Sequence, residues 1–254
     1  MKKYEILKNN SIEFYGKTLY RIQALIDFSD VKAGDIGGYI QSEENLSHEG
    51  NAWVADNAKV YDDAKVFGNA KVYGNAEVSC AAEISGNTKV YGNAEVYEYA
   101  EVYGNAEVSC GAIVYSSAKV YDYAKVGGDA KVSDHAKVYG NAKVIGESKV
   151  YDHAEVFCDT EVSGSAKVFG NVQVNGNALI SGDAEVSELG DYIVFKNNWS
   201  SGRYFTYTRS NKMWQVGCFY GTGEELVKKA YEDSELSGKN YSLYVELVKN
   251  LEKP

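Results

Sequence analysis

The chain has 254 residues, a net charge of −10, 25 glycines, 22 tyrosines and a single proline, Pro254. So acidic a protein repels a phosphate backbone, which argues against nucleic acid as its main partner. No run approaches the ~18–20 apolar residues of a membrane-spanning helix, and a scarcity of mid-chain leucine argues against an ordinary mixed aliphatic core.

Residues 1–50 open the chain. Met1 to Asn10 lacks the apolar run of a signal peptide. Alternating apolar and polar residues around Tyr4–Leu7 and Thr18–Ile26, with turn signals at Asn9-Asn10 and Tyr15-Gly16, predict short antiparallel strands. Gly34, Gly37 and Gly38 mark the passage into a repeat. Ile40 and Leu46 lie six apart, but eight residues separate Leu46 from Val54, which predicts a lead-in coil interrupted by a bulge at Ser47–Gly50.

Residues 51–188 are one long repeat. From Val54 to Val186 every sixth residue is valine, or isoleucine at Ile84 and Ile180, through 23 consecutive positions. Two residues before each stands alanine in 19 cases, the exceptions being Thr88, Ser148, Thr160 and Val172. Six residues advance a helix by about 600°, so these valines would not share a helical stripe. On an extended segment Ala and Val, two apart, share one face, and the Lys/Glu and Tyr/Ser beside them point to solvent. The Gly-Asn pair that follows suits a corner, because both residues tolerate left-handed backbone. Each hexad is therefore a short strand plus a turn.

This pattern resembles the hexapeptide-repeat family, [LIV]-x-x-x-[STAV]-x, over Ala52–Val186. The resemblance implies an all-β solenoid, a left-handed parallel β-helix of three hexads per coil. Eighteen residues per coil then gives about seven coils, roughly 35 Å long at ~4.8 Å per strand.

Residues 189–254 leave the hexad. Tyr192–Phe195, Tyr204–Thr208 and Met213–Val216 read as strands. A capping box at Thr222-Gly-Glu-Glu225 opens a helix to about Asp233. A second helix, about Gly238–Leu251, places Tyr241, Tyr244, Val245, Val248 and Leu251 on one face. The whole predicts a small α+β cap, as the N-terminal strands predict a β cap, because solenoid ends need covering. The stretches G-D-I-G-G-Y-I (Gly34–Ile40) and V-G-C-F-Y-G-T-G-E-E-L (Val216–Leu226) are similar to proteins of phages and prophages of Gram-positive bacteria. That resemblance implies a small accessory viral protein and no particular chemistry.

The hexapeptide-repeat enzymes are mostly acyltransferases, which by resemblance trimerise, use a histidine between subunits and extrude a loop from the prism. Here the 23 hexads run without an insertion. His135 and His153, 18 residues apart and preceded by Asp134 and Asp152, predict a stack on one corner. They are the candidates for a general base, with Asp orienting imidazole. The reading preferred here is that Asp-His replaces Gly-Asn at a turn. Three zinc-ligating histidines, as in the family's carbonic-anhydrase branch, would have to include the distant His48, so no metal is expected. Cys80, Cys110 and Cys158 occupy the glycine corner position on three different edges, and Cys218 stands apart. With no C-x-x-C, a reduced cytoplasmic protein is expected, and the resemblance to phage and prophage proteins implies that the cell is a bacterial host.

The outer surface holds the candidate binding residues. Lys119, Lys125, Lys131, Lys137, Lys143 and Lys149 predict a basic girdle. An acidic belt of Glu77, Glu83, Glu95, Glu101 and Glu107, broken by Lys89, precedes it. Beside them Tyr103, Tyr121 and Tyr139 should stack on one face and Tyr97 and Tyr115 on another, with Lys–Tyr cation–π contacts worth ~0.5–1 kcal/mol. A base-stacking site for a nucleotide is weakened by Asp122, Asp129, Asp134 and Asp152. On these grounds the chain reads as a non-enzymatic binding protein without cofactor, working through the prism surface and C-terminal cap. A protein partner or self-association is expected, and a small-molecule ligand is left undefined. The alternative is a trimeric acyltransferase using His135 or His153 with acyl-coenzyme A.

Overall fold

The computed structural model describes residues 2–253. Strands β1 (Tyr4–Phe14), β2 (Lys17–Ala24) and β3 (Ile36–Ile40) form an antiparallel N-terminal cap. Twenty-three two-residue strands follow at six-residue spacing, from β4 (Trp53–Val54) to β26 (Glu185–Val186). They stack as three parallel sheets in which each strand pairs with the one 18 residues on. Face one runs through Val54, Val72, Val90 and so on to Ile180. Face two runs from Ile40 through Val60 and Val78 to Val186, and face three from Val66 to Val174. With β3 as the first strand of face two and Leu46 bridged to Val66 ahead of face three, the solenoid makes about eight turns, one more than the hexads alone suggested.

The local chemistry of the hexad sets this shape. Every repeat Ala and Val is buried, and a narrow three-sided interior has room for little more than these small and β-branched side chains. Thr88, Ser148 and Thr160 take alanine positions without leaving their hydroxyls unpaired. Thr88 Oγ1 donates to Ser85 O at 3.0 Å and Ser148 Oγ to Ile145 O at 2.8 Å. Corners turn through one left-handed residue, usually glycine, and elsewhere Asp, Ser, Glu or Cys, including Asp134, Asp152, Cys110 and Cys158. Asparagines after the glycine form their own ladder, Asn51–Asn69–Asn87–Asn105, at 2.9–3.0 Å.

Backbone polarity dictates the caps. Strand N–H groups donate to the next coil, as Trp53 N does to Ala70 O and Lys59 N to Ala76 O. The first coil is thus left with orphan carbonyls and the last with orphan N–H groups. The N-terminal side supplies donors: Lys3 Nζ to Ala52 O (2.8 Å), Tyr4 Oη to Leu46 O (2.7 Å) and Asn45 Nδ2 to Asp62 O and Ala64 O. The C-terminal side supplies acceptors: Thr206 Oγ1 for Leu179 N, Ser210 Oγ for Glu185 N, and Asp191 Oδ2 for Ser187 N and Glu188 N, all at 2.8–2.9 Å.

The C-terminal cap is a four-stranded antiparallel sheet, β27 (Tyr192–Lys196), β28 (Tyr204–Thr208), β29 (Met213–Val216) and β30 (Phe219–Gly221). Helices α1 (Gly223–Asp233) and α2 (Glu235–Leu251) pack beyond it. Strand alternation splits the work: Tyr192 and Val194 join the solenoid core, while Ile193, Phe195, Phe205, Tyr207 and Trp214 join a second core with Leu226, Ala230, Tyr241, Val245 and Val248. The capping box at Thr222 and Glu225 is formed.

Four local expectations need correction. Asn9-Asn10 is no turn but lies within β1, where a bulge between Leu7 and Ser11 absorbs the extra residues. Strand β30 carries no strong alternation and was not foreseen. Helix α2 begins three residues early, with Ser234 as its N-cap. Gly238 falls inside it because the Tyr231 ring lies where a Cβ would sit. Leu251 does not join the buried face and is 56% exposed.

Candidate functional site

The stacking rule of the solenoid places side chains 18 residues apart directly above one another, so each outward position becomes a column. On face three, Tyr103, Tyr121, Tyr139 and, beyond the foreseen set, Phe157 form a continuous ladder with centroids 4.8 Å apart and planes within 3°. On face two, Tyr97 stacks on Tyr115 at 5.3 Å and Tyr151 on Phe169 at 5.2 Å. Burial beneath neighbouring rings pushes Tyr121 and Tyr139 up to about 12, with the Glu155 carboxylate adding to the effect. These hydroxyls are therefore neutral at physiological pH, and Tyr139 Oη donates to Glu155 Oε2 at 3.2 Å.

The lysines do not act as one girdle. Strand stacking sets Lys119 over Glu101 (2.7 Å), Lys125 near Glu107 (3.3 Å) and Lys137 under Glu155 (2.9 Å), which neutralises these three. Lys131, Lys143 and Lys149 have no carboxylate within 4.0 Å among the described residues. The expected Lys–Tyr cation–π contacts are also absent from this region among the described residues. Such contacts lie in the caps, as with Lys3 over Phe28 and Lys196 over Tyr204. In the face-three ladder the reason is geometric: Tyr121 and Tyr139 give both faces to the rings above and below, leaving only edges for lysine.

His135 and His153 stack at 4.9 Å on the corner after face two, both exposed to solvent. Asp134 and Asp152 precede them in left-handed backbone. Their carboxylates serve the turn, Asp134 Oδ2 accepting from Asp152 N (3.2 Å) and Asp152 Oδ2 from Gly170 N (3.0 Å). Neither orients an imidazole. The cysteines are free and exposed, Cys80, Cys110 and Cys158 on separate corners and Cys218 in the turn before β30. Among the described residues, no group of three His, Cys, Asp or Glu side chains converges to hold a metal ion, and no helix is long and apolar enough to cross a membrane.

A second surface was missed from sequence. Helix α2 buries Tyr241, Val245 and Val248, and turns Leu236, Leu243, Leu247 and Leu251 outward at 57, 65, 45 and 56% exposure. Their spacing of seven, four and four residues draws one stripe along the helix. The signal was present as leucines in a chain otherwise poor in them, but it was hidden because α2 is apolar on two sides. No family model matches the chain, and no curated protein matches it either.

Proposed function

We propose that this chain is a non-enzymatic interaction protein, a rigid solenoid that presents a C-terminal docking helix to a protein partner. The observation that carries this reading is the leucine stripe of α2. Single exposed leucines are ordinary, but four aligned on one helix form an apolar strip that water penalises and a partner's apolar surface would cover. The tyrosine ladder of face three offers a second, rigid aromatic surface of the kind enriched at interfaces. The resemblance of Gly34–Ile40 and Val216–Leu226 to prophage-encoded proteins supports an accessory viral protein acting in the cytoplasm of a bacterial host.

The acyltransferase alternative draws less support. The hexads run without an extruded loop, and both corner histidines stack on each other rather than on a carboxylate.

The test is paired capture and mass measurement on the wild type, Leu243→Glu/Leu247→Glu and Tyr121→Ser/Tyr139→Ser. The expected result is a partner, or a second copy of the chain, retained by the wild type and lost from the leucine variant at unchanged melting temperature. Equal retention by all three proteins, or binding of acyl-coenzyme A by a trimer, would overturn the reading.

A further inference from the structure

Face two carries an aromatic ladder with rungs missing. Its outward column reads Tyr61, Ser79, Tyr97, Tyr115, Ser133, Tyr151, Phe169. At Ser133 the gap is walled above and below by flat rings, each held by its own neighbour, Tyr115 by Tyr97 and Tyr151 by Phe169. Two coil steps separate Tyr115 from Tyr151, about 10 Å at the strand spacing of a sheet. That space takes one planar ring at the same separation the ladder uses for its own rungs.

The walls are not only aromatic. Lys131, Lys149 and Lys167 stack along one rim as consecutive strand partners. Lys167 is held by Glu185 at 2.8 Å, while Lys131 and Lys149 are free of carboxylates within 4.0 Å among the described residues. Ser133, almost fully buried, forms the floor, and Asp134 stands on the opposite rim, its Oδ2 accepting from Ser133 Oγ and Asp152 N. These residues line an open surface depression of about 460 Å³.

The solenoid contains its own control. The equivalent gap at Ser79, between Tyr61 and Tyr97, has Lys59 tied to Glu77 at 3.1 Å and Glu95 as the next rung. There Tyr61 is itself buried against Phe14 of the cap, so this gap offers neither an exposed lower wall nor free positive charge.

We infer that the Ser133 slot binds a free nucleoside phosphate, the base inserted as the missing rung between Tyr115 and Tyr151 and the phosphate on Lys131 and Lys149. Aromatic stacking accepts any base face, and lysine meets phosphate as a point charge. The Asp134 rim suits a ring bearing N–H donors. A long polyanion would instead meet the chain's overall charge of −10, so the free nucleotide is the fitting source. The slot lies on the prism and is independent of the α2 stripe.

Titration calorimetry with AMP, GMP, adenosine and inorganic phosphate tests this on the full chain. Both nucleotides should bind at least tenfold more tightly than adenosine or phosphate alone, more weakly as salt rises. Ser133→Tyr, which supplies the missing rung, should abolish binding while melting at or above the wild-type temperature. Lys131→Gln/Lys149→Gln should weaken binding about tenfold, and Ser79→Tyr should leave it unchanged. No heat with either nucleotide up to roughly millimolar concentration, undiminished binding by Ser133→Tyr, or loss of binding in Ser79→Tyr would each overturn the assignment.

Discussion

Lys3 gives the sharpest test of the donor-at-one-end, acceptor-at-the-other logic of the caps. Its side chain is 1% exposed, donates to the orphan carbonyls of Ala52 (2.8 Å) and Gly50 (3.4 Å), and has no carboxylate partner among the described residues. Burial lowers its pKa from the usual 10.5 to about 8. A lysine depressed in the folded state binds its proton less well there than when unfolded. At Lys3 the unfolded chain therefore holds more of its proton between pH 8 and 10.5, and this residue's contribution to stability rises with pH across that window. Below pH 8 both states are charged and the burial cost, up to roughly 3 kcal/mol, is fully present. By pH 9.5 about 2 kcal/mol of it should be recovered, over a background of tyrosine ionisation that wild type and variant share. Lys3→Met removes the charge but leaves both carbonyls without a donor, an opposing loss of about 1–3 kcal/mol. The variant should thus lie near wild type at pH 7 and fall behind by about 2 kcal/mol at pH 9.5. Urea unfolding of both proteins from pH 7 to 9.5 reads this directly. Parallel stability–pH curves would refute the claim that Lys3 is the buried, charge-bearing plug of the first coil.

Three further outcomes follow from the same physics. Thr206→Val keeps the shape of a buried side chain but orphans Leu179 N–H; it should cost about 1–3 kcal/mol in urea melts, and Thr206→Ser should restore most of that. Gly86→Ala forces a Cβ into left-handed backbone, φ +71°, and within 2.6 Å of Gly104 O; thermal melting should show a loss of about 1–3 kcal/mol. Tyr121→Ala removes two ring contacts at 4.8 Å and should cost about 1–3 kcal/mol, whereas replacement of the exposed Tyr123, which stacks on no ring among the described residues, should change the melting temperature little.

The architecture was legible because a hexad is a local object repeated 23 times. Once Ala and Val share a face and Gly-Asn turns the corner, an 18-residue coil follows, and with it every vertical neighbour. That is why the Tyr103–Tyr121–Tyr139 and His135–His153 stacks were foreseen from arithmetic alone. The caps were legible only as strands and helices, since their register depends on which orphan groups of the end coils they satisfy. Lys3 on Ala52 O and Thr206 on Leu179 N join residues 49 and 27 apart with no repeat to relate them.

What only the tertiary structure decided is where charge and apolar surface remain uncovered. The sequence by itself determined the columns, and with them which charges stand over one another; the folded chain added which of those close to ion-pair distance, as at Lys119, Lys125 and Lys137. It also turned α2 so that Tyr241, Val245 and Val248 enter the core and the four leucines face outward. A repeat dictates its own stacking because each unit contacts copies of itself. The burial of an apolar helix face depends on what non-repeating neighbour arrives, and only the folded chain specifies that neighbour.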